Sequence, residues 1–415
     1  MDQQVASARA ATGTPIPRWE FIALCAGLMA INALAIDVML PGLQQMGESL
    51  GVTNENHRQF VISAYIAGLG IATLFFGPLS DRFGRRLPLL AGIAIYVVAA
   101  FAAAISQNFM LLLVCRFVQG FGAAATRVIT VSVVRDTFGG RAMAEVMSLV
   151  FMIFMIVPVV APSVGQLVML AWSWHAIFVM IGLLAAIIFV WAALRLPETL
   201  HEEYRRPLSA KALLGGFSAV FTTRISVWYT IALTIMFGSI FGFINSAQQI
   251  YQDVYHVGDM FPVYFAAVAG LMAVSSFLNS RLVGRFGMRR LSHTATLGFI
   301  AVNGVSFLLS FFAGPLPLWG FICLFGLAMV QFALIGANFN SMAMEPLGHV
   351  AGMAASVQSF VQTVFSGLIG AFIGLQFDGT TTPLAAGYFF CSLLGLGAVL
   401  IAEKGRLFRA INPRI

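Results

Sequence analysis

Charged residues are scarce in this sequence. Asp, Glu, Lys and Arg make up 9% of its 415 residues, whereas hydrophobic residues make up 60%. Outside one polar interval near the middle, no loop is long enough for a globular domain, which excludes a soluble enzymatic or sensory module. The four cysteines all lie in apolar stretches without metal-ligand spacing, so neither a disulfide framework nor a metal site is expected. The first eighteen residues are polar, and the apolar run after them is too long for a cleavable signal peptide.

Long apolar stretches are abundant instead. Each has roughly 20 residues, enough to cross about 30 Å of hydrocarbon as a helix. They are continuously apolar rather than alternating, which favours helices over the strands of a barrel. We therefore predict an all-α membrane protein with twelve transmembrane helices in two six-helix bundles. The twelve spans are predicted at residues 19–42, 59–79, 88–107, 109–133, 145–170, 174–195, 227–250, 262–283, 291–312, 317–340, 351–376 and 384–402.

The positions of the basic residues predict the orientation. The formal net charge of +7 would by itself also suit a nucleic-acid-binding protein. With both termini on one side, however, twenty of the 23 lysines and arginines fall in loops on that side and only Arg58 in the opposite loops. This asymmetry follows the positive-inside rule. We expect both termini in the cytoplasm and no nucleic-acid partner.

The sequence predicts two halves joined by a linker. Residues 1–196 form the predicted N-terminal bundle, residues 197–226 a cytoplasmic linker, and residues 227–415 the C-terminal bundle. The segment at residues 82–86, Arg-Phe-Gly-Arg-Arg, has an echo at residues 285–290, Arg-Phe-Gly-Met-Arg-Arg. Parallel repeats of this kind are typical of transporters that bind substrate between two halves.

Asp37 is the only carboxylate well inside a predicted span. An unpaired charge there costs several kcal/mol in hydrocarbon, so the residue needs a partner or a function. The expected partner is Arg116, which lies inside the fourth span. A buried acid that faces a buried base suits a proton-coupled carrier, with Asp37 and Arg116 as the proton-coupling residues.

Arg127 is a second arginine of the fourth span. Arg116 and Arg127 are eleven residues apart, nearly three helical turns, so they share one helix face. We expect both to face the central cavity. The alternative for Arg127 is a side chain that extends to the cytoplasmic interface.

We expect the spans of the second half to contain no acid or base, only amides and hydroxyls. The amides recur at helical spacing, which suits either substrate contacts or hydrogen bonds between helices. The cavity candidates, with two aromatic residues included, are Tyr65, Phe241, Asn245, Gln248, Gln331, Asn338, Gln358 and Gln362.

The turn after the second span carries a specific pattern, Gly-Pro-Leu-Ser-Asp-Arg-Phe-Gly-Arg-Arg at residues 77–86. It resembles the signature A motif of the major facilitator superfamily, which implies the major facilitator fold. The motif residues, to which the resemblance gives a conformational role, are Gly77, Asp81, Arg82, Gly84, Arg85 and Arg86.

Two more segments resemble motifs of that superfamily's drug exporters. Residues 116–124, with Gln119 and Gly120, resemble the B motif of its proton antiporters. Residues 158–166 resemble the C motif in the double-proline form of the Bcr/CflA (bicyclomycin-resistance/chloramphenicol-efflux) drug:proton antiporters. The C-motif residues are Pro158, Pro162 and Gly165, and Gln166 stands where that motif has a glycine.

The resemblance implies a multidrug efflux antiporter of the bacterial inner membrane. It would be a monomer that needs no cofactor beyond the proton gradient, with protons, a small-molecule substrate and the lipid bilayer as partners. Since the two intramembrane arginines outweigh Asp37, we expect neutral or weakly anionic amphipathic drugs. The alternatives are an exporter of an endogenous metabolite on the same scaffold and, more remotely, a transport-inactive membrane sensor. An enzyme is not expected, because the spans hold no nucleophile with a base.

Overall fold

The computed structural model describes residues 16–205 and 210–408. The outer ends of both predicted bundles, and residues 206–209 of the predicted linker, lie outside the described residues. Within the described part, twelve long helices follow one another along the chain. They are α1 (Arg18–Asp37), α2 (Phe60–Phe83), α3 (Arg86–Ala104), α4 (Phe109–Thr137), α5 (Gly140–Ala171), α6 (His175–Arg195), α7 (Arg224–Gln249), α8 (Phe261–Phe286), α9 (Met288–Ala313), α10 (Leu318–Met344), α11 (Ala351–Leu375) and α12 (Thr382–Ala402).

The predicted all-α membrane architecture is confirmed. Among the described residues, eleven helical segments are long and apolar enough to cross a membrane, and Ile156–Ala171 of α5 is a shorter apolar segment. Each predicted span coincides with one long helix. A thirteenth helix, the linker helix Ala210–Thr222, lies within the predicted linker.

The first helix breaks near its end. α1 stops at Asp37, a single 3₁₀ turn follows at Leu40–Gly42, and a short helix continues at Leu43–Ser49. Pro41 has no N–H group and cannot bond the carbonyl of Asp37, as a residue four positions later would in a continuous helix. The last carbonyls of α1 therefore need partners from elsewhere.

The described chain forms two compact units. Unit 1 contains the described residues of Met1–Thr53 and Ala64–Ala210, and unit 2 those of Asn54–Ser63 and Lys211–Ile415. The division departs from the order of the chain only at Asn54–Ser63. There Asn56 donates from Nδ2 to the carbonyls of Leu375 at 3.0 Å and Phe377 at 2.8 Å.

The two units repeat one packing scheme. In unit 1, α1 packs against α4, α5 and α6, and α3 packs against α4 and α6. In unit 2, α7 packs against α10, α11 and α12, and α9 packs against α10 and α12. Each contact of the second set is the first set shifted by six helices, which matches the repeat predicted from the sequence.

The repeated turns also share their backbone geometry. Gly84 joins α2 to α3 with φ of 89°, and Gly287 joins α8 to α9 with φ of 79°. These values lie in the left-handed region, where only glycine is unstrained. The glycine of each Arg-Phe-Gly repeat is therefore required by the turn.

Candidate transport site

Asp37 lies at the C-terminal end of α1 and is 5% exposed. Within the described part of the chain its carboxylate has neither a hydrogen bond nor an ion pair. The helix break beside it is tightly packed, since a Cβ atom at Gly165 of α5 would lie 1.9 Å from the carbonyl oxygen of Val38. Gly165, predicted as a C-motif residue, thus lets α5 approach the end of α1.

Arg116 is fully buried on α4, but the predicted Asp37–Arg116 ion pair is not formed. Its Nη1 donates to Gln119 Oε1 at 2.5 Å, and its Nη2 donates to the Ala35 carbonyl at 3.0 Å. The Tyr65 ring lies 4.4 Å from the guanidinium carbon. The physical reason why Arg116 bonds Ala35 instead of Asp37 is the helix break. Ala35 is in the last turn of α1, where carbonyls lack intrahelical partners and favour a positive charge.

Arg127 lies on the same face of α4, three turns further along, and is partly buried. Both guanidinium groups are within electrostatic range of the Tyr65 hydroxyl. Among the described residues, Arg127 forms no hydrogen bond and no ion pair. Arg116 and Tyr65 are therefore in contact in unit 1, and Arg127 lies further along the same helix face. That both arginines face the central cavity stays a prediction.

Asn32 is a residue that the sequence interpretation missed. It lies on α1, five residues before Asp37, and its Nδ2 donates to Thr126 Oγ1 of α4 at 2.8 Å. Its side chain is 5% exposed. The available signal was a single amide within the first apolar run, where a polar side chain needs a partner.

Helices α2 and α4 cross in close contact beside Arg116 and Tyr65. A Cβ atom at Gly120 would lie 2.0 Å from the Tyr65 carbonyl oxygen. Gly120, predicted as a B-motif residue, is therefore a packing position. Pro158 and Pro162 lie inside α5.

The amides of unit 2 divide into two groups. Asn338 donates to Asn279 Oδ1 at 2.7 Å, and Gln358 donates to Ser226 Oγ at 3.2 Å. Each bond joins two different helices. These two amides therefore form hydrogen bonds between helices, which was the alternative to substrate contacts.

Other candidates in unit 2 are differently placed. Both polar atoms of the Asn245 side chain, and Oε1 of Gln331, are buried without a hydrogen-bond partner among the described residues. Phe241 packs against Gly370, where an added Cβ would lie 2.4 Å from the Phe241 Cβ. Gln248 is buried and Gln362 is partly exposed.

The expectation that the second-half spans lack an acid or base was wrong. His293 lies in α9 and is 1% exposed. Its Nε2 is 2.9 Å from the Tyr229 hydroxyl, and its Nδ1 accepts from the Phe408 backbone N–H at 3.1 Å. Tyr229 in turn donates to Glu403 Oε1 at 2.8 Å. These bonds place the histidine proton on Nε2, so His293 is neutral and fully bonded here.

The A-motif turn is held by an arginine between two acids. Arg85 donates from Nε to Asp136 Oδ2 at 2.7 Å and from Nη1 to Asp81 Oδ1 at 2.5 Å. Glu198, at the start of the linker, accepts from the backbone N–H groups of Arg85 at 2.7 Å and Arg86 at 3.1 Å. The carboxylate of Glu198 covers Gly84, where a Cβ would lie 2.3 Å from its Oε2.

The remaining A-motif residues lie around this ion pair. Gly77 accepts from Ser80 Oγ at 2.9 Å through its carbonyl, and Arg86 donates to the Ala193 carbonyl. Arg82 is exposed, with its guanidinium carbon 5.5 Å from the Phe83 ring centre.

Unit 2 repeats this arrangement. Arg289 lies in the first turn of α9, just after Gly287, and donates from Nε to Glu403 Oε1 at 2.8 Å. Its Nη2 lies 3.6 Å from Glu345 Oε2. Each unit thus holds one arginine of the repeated turn between two carboxylates.

These helices, their repeat and the membrane arginines define a membrane transporter rather than an enzyme. The family model of the Major Facilitator Superfamily matches residues 24–375. The chain belongs to this superfamily.

Similar proteins agree with that assignment. The chain is 29% identical to the uncharacterized MFS-type transporter YdgK of Bacillus subtilis over 393 residues, 93% of this chain and 96% of that protein. It is 27% identical to the bicyclomycin resistance protein homolog of Haemophilus influenzae, over 88% of this chain and 91% of that protein. It is also 27% identical to the multidrug resistance protein MdtL of Escherichia coli, over 93% and 96% of the two chains. The resemblance to Bcr/CflA-type exporters is confirmed.

A solved structure shows the same fold. The xylose transporter XylE from E. coli, in a partially occluded inward-open conformation, superposes with a TM-score of 0.70 at 12% identity. The match covers 93% of this chain and 97% of XylE.

Proposed function

We propose that this chain is a proton-coupled antiporter that exports small amphipathic drugs across the bacterial inner membrane. Both termini would face the cytoplasm, and the proton gradient would supply the energy without a cofactor. The family and the resistance functions in the names of its relatives support the general class. The observation that carries the proton coupling is Asp37, a buried membrane acid at the break of α1.

The position of Asp37 suits a proton-controlled switch. The break of α1 touches two other helices, through Arg116 at Ala35 and through Gly165 at Val38. A change of charge at Asp37 therefore acts on a junction of three helices. In the proposed cycle, Asp37 takes a proton from the periplasm and substrate is released, and loss of the proton to the cytoplasm prepares reloading. The coupling consists of the different affinities of two conformations for proton and substrate.

The charges of unit 1 favour neutral or weakly anionic substrates. Arg116 and Arg127 contribute two positive charges, and an ionised Asp37 leaves a sum of +1. In unit 2, His293 is neutral and its hydrogen bonds are satisfied. A dication would meet net repulsion in surroundings where charges interact more strongly than in water.

A paired resistance assay tests this function. The chain is expressed in a bacterial host stripped of its own drug pumps, and growth is measured with a phenicol, a sulfonamide and a dicationic dye. We expect protection against the phenicol and the sulfonamide. In a direct efflux assay, a protonophore should abolish the export of both compounds. Stronger protection against the dication contradicts the charge argument. No protection, together with accumulation of a metabolite in a deletion strain, supports the metabolite exporter instead.

A further inference from the structure

Three buried side chains on α1, α2 and α4 of unit 1 have polar atoms without hydrogen-bond partners among the described residues. The atoms are Asn32 Oδ1, Tyr65 Oη and Thr130 Oγ1. None of these residues is more than 5% exposed. Leaving a buried donor or acceptor unpaired costs free energy, so such atoms mark places where another molecule supplies the partner.

These atoms are arranged around one face of α4. Arg127 and Thr130 lie along that face, which also carries Arg116. Asn32 is fastened to it by its bond to Thr126, one residue before Arg127. Tyr65 stacks on Arg116, and its hydroxyl is within electrostatic range of Arg127. Asn32, Tyr65 and Thr130 therefore form one cluster with Arg127 beside α4.

Arg127 gives the cluster its charge. A guanidinium inside a membrane span is costly unless it is paired or reaches water, and among the described residues Arg127 has no ion pair. Asp37 does not neutralise it, since no ion pair joins the two side chains. The cluster thus offers one available cation, donors at Tyr65 and Thr130, and one acceptor at Asn32.

We propose that Asn32, Tyr65, Arg127 and Thr130 form a binding site for the acidic group of a weak organic acid. The inference rests on the proposed function and names the substrate chemistry of that site. An ionised oxygen accepts hydrogen bonds from Arg127 and the neutral donors, and charge-assisted bonds of this kind are the stronger ones. A hydroxyl or N–H near the acidic group donates to Asn32 Oδ1. An aromatic acid with a meta hydroxyl fits this donor and acceptor set, because an ortho hydroxyl donates to its own carboxylate.

Equilibrium binding to the purified protein in lipid nanodiscs tests the site without a proton gradient. The probes are salicylate, its neutral analogue salicylamide, and meta-hydroxybenzoate, whose hydroxyl is free to donate. We expect wild-type protein to bind salicylate more tightly than salicylamide. Arg127→Gln should lower salicylate affinity about tenfold or more, as loss of a charged hydrogen bond predicts, and leave salicylamide binding within about threefold. Asn32→Ala should weaken binding of meta-hydroxybenzoate but not of salicylate.

Two variants separate binding from folding. Because the Tyr65 hydroxyl is unpartnered, Tyr65→Phe should lower salicylate affinity without lowering the thermal unfolding midpoint. Tyr251→Phe is its matched control, since Tyr251 in unit 2 also has a buried hydroxyl without a partner among the described residues. Arg281→Gln, at an exposed arginine of α8, controls for removal of a positive charge.

The outcomes distinguish this inference from the proposed function. Equal binding of salicylate and salicylamide by wild type, or unchanged salicylate binding in Arg127→Gln, overturns the site. If proton-driven efflux of a neutral antibiotic from proteoliposomes persists in that case, the proposed function stands alone. An unchanged affinity would also identify Arg127 as a side chain that extends to the interface. Selective salicylate binding without proton-driven transport would support the site and contradict the antiporter.

Discussion

At the scale of residues, the sequence identified the charged side chains inside the spans but did not predict their hydrogen-bond partners. Asp37 and Arg116 stand out because charges are rare in apolar spans, and Arg127 follows from helical spacing. Their partners depend on which backbone carbonyls are left without hydrogen bonds. Arg116 bonds Ala35 because α1 ends at Asp37, and the break removes the usual donors for that turn. Helical spacing alone does not show this.

His293 shows the same limit in unit 2. Its hydrogen bonds come from Tyr229 on α7 and Phe408 after α12, which are distant in sequence. Only the packing of α7, α9 and α12 brings these groups together. The sequence interpretation therefore overlooked a base that the structure buries and satisfies.

Arg116→Ala should destabilise the protein and abolish transport. It removes the donors to Gln119 and Ala35, and each hydrogen bond to a charged group is worth about 1.5–3 kcal/mol. Arg116→Lys should restore transport only in part, because one ammonium cannot reproduce the planar contacts of a guanidinium. Thermal unfolding and efflux rates are measured side by side, with Arg281→Lys as the control. Full activity of Arg116→Lys contradicts a geometric role.

At the scale of elements, the apolar runs predicted every long helix but not every boundary. The fourth span was predicted at residues 109–133, whereas α4 continues to Thr137. The helix extends because its backbone hydrogen bonds continue after the side chains become polar. The hydropathy pattern predicts only the apolar part of the helix. The linker helix Ala210–Thr222 was also outside the prediction, since it lies in the polar interval between the halves.

Close helix contacts also depend on details that periodicity does not reveal. The C-motif resemblance marked Gly165, but the partner at Val38 becomes visible only with the packing of α1 against α5. Gly165→Val should therefore prevent close packing at the break of α1 and reduce folded protein strongly, by several kcal/mol in stability. The yield of monodisperse protein and its unfolding midpoint are the measurements.

Gly270→Ala is the matched control for Gly165→Val. Gly270 lies in α8, and an added Cβ there meets no atom within 4 Å. It should be tolerated or slightly stabilising, because alanine favours helix over glycine by about 1 kcal/mol. Equal tolerance of both substitutions contradicts the close contact at Val38.

At the scale of the whole molecule, the internal repeat includes the arginine–carboxylate contacts of the turns as well as the packing of the helices. Arg85 in unit 1 and Arg289 in unit 2 occupy equivalent turns, and each contacts acids from two other segments of its unit. The sequence predicted the repeated turns from Arg-Phe-Gly. It did not predict the acids, because Asp136, Glu345 and Glu403 come from distant helix ends.

Asp81→Asn should slow transport several-fold with normal substrate affinity. The Asp81–Arg85 pair is partly exposed and worth about 1 kcal/mol or less, so the fold should persist. Loss of this ion pair alters the stability of one transport conformation through the A-motif turn. It changes no residue of the binding cluster. Affinity and turnover are measured on the same preparation. Glu145→Gln, which breaks the exposed Arg18–Glu145 pair, should change neither.

A changed affinity with an unchanged turnover in Asp81→Asn would contradict this conformational role. The result would instead place the A-motif turn in contact with the substrate. Slowed turnover in Glu145→Gln as well would show that exposed ion pairs in general affect the cycle.

The central claim, that Asp37 carries the transported proton, is tested most directly by Asp37→Asn in proteoliposomes with an imposed pH gradient. Wild-type protein should accumulate a phenicol against its concentration gradient, and a protonophore should abolish the accumulation. Asp37→Asn should fold, exchange the drug across the membrane without a gradient, and fail to accumulate it. Asp378→Asn, at an exposed acid after α11, should behave as wild type. Accumulation by Asp37→Asn that still collapses with the pH gradient would contradict the account.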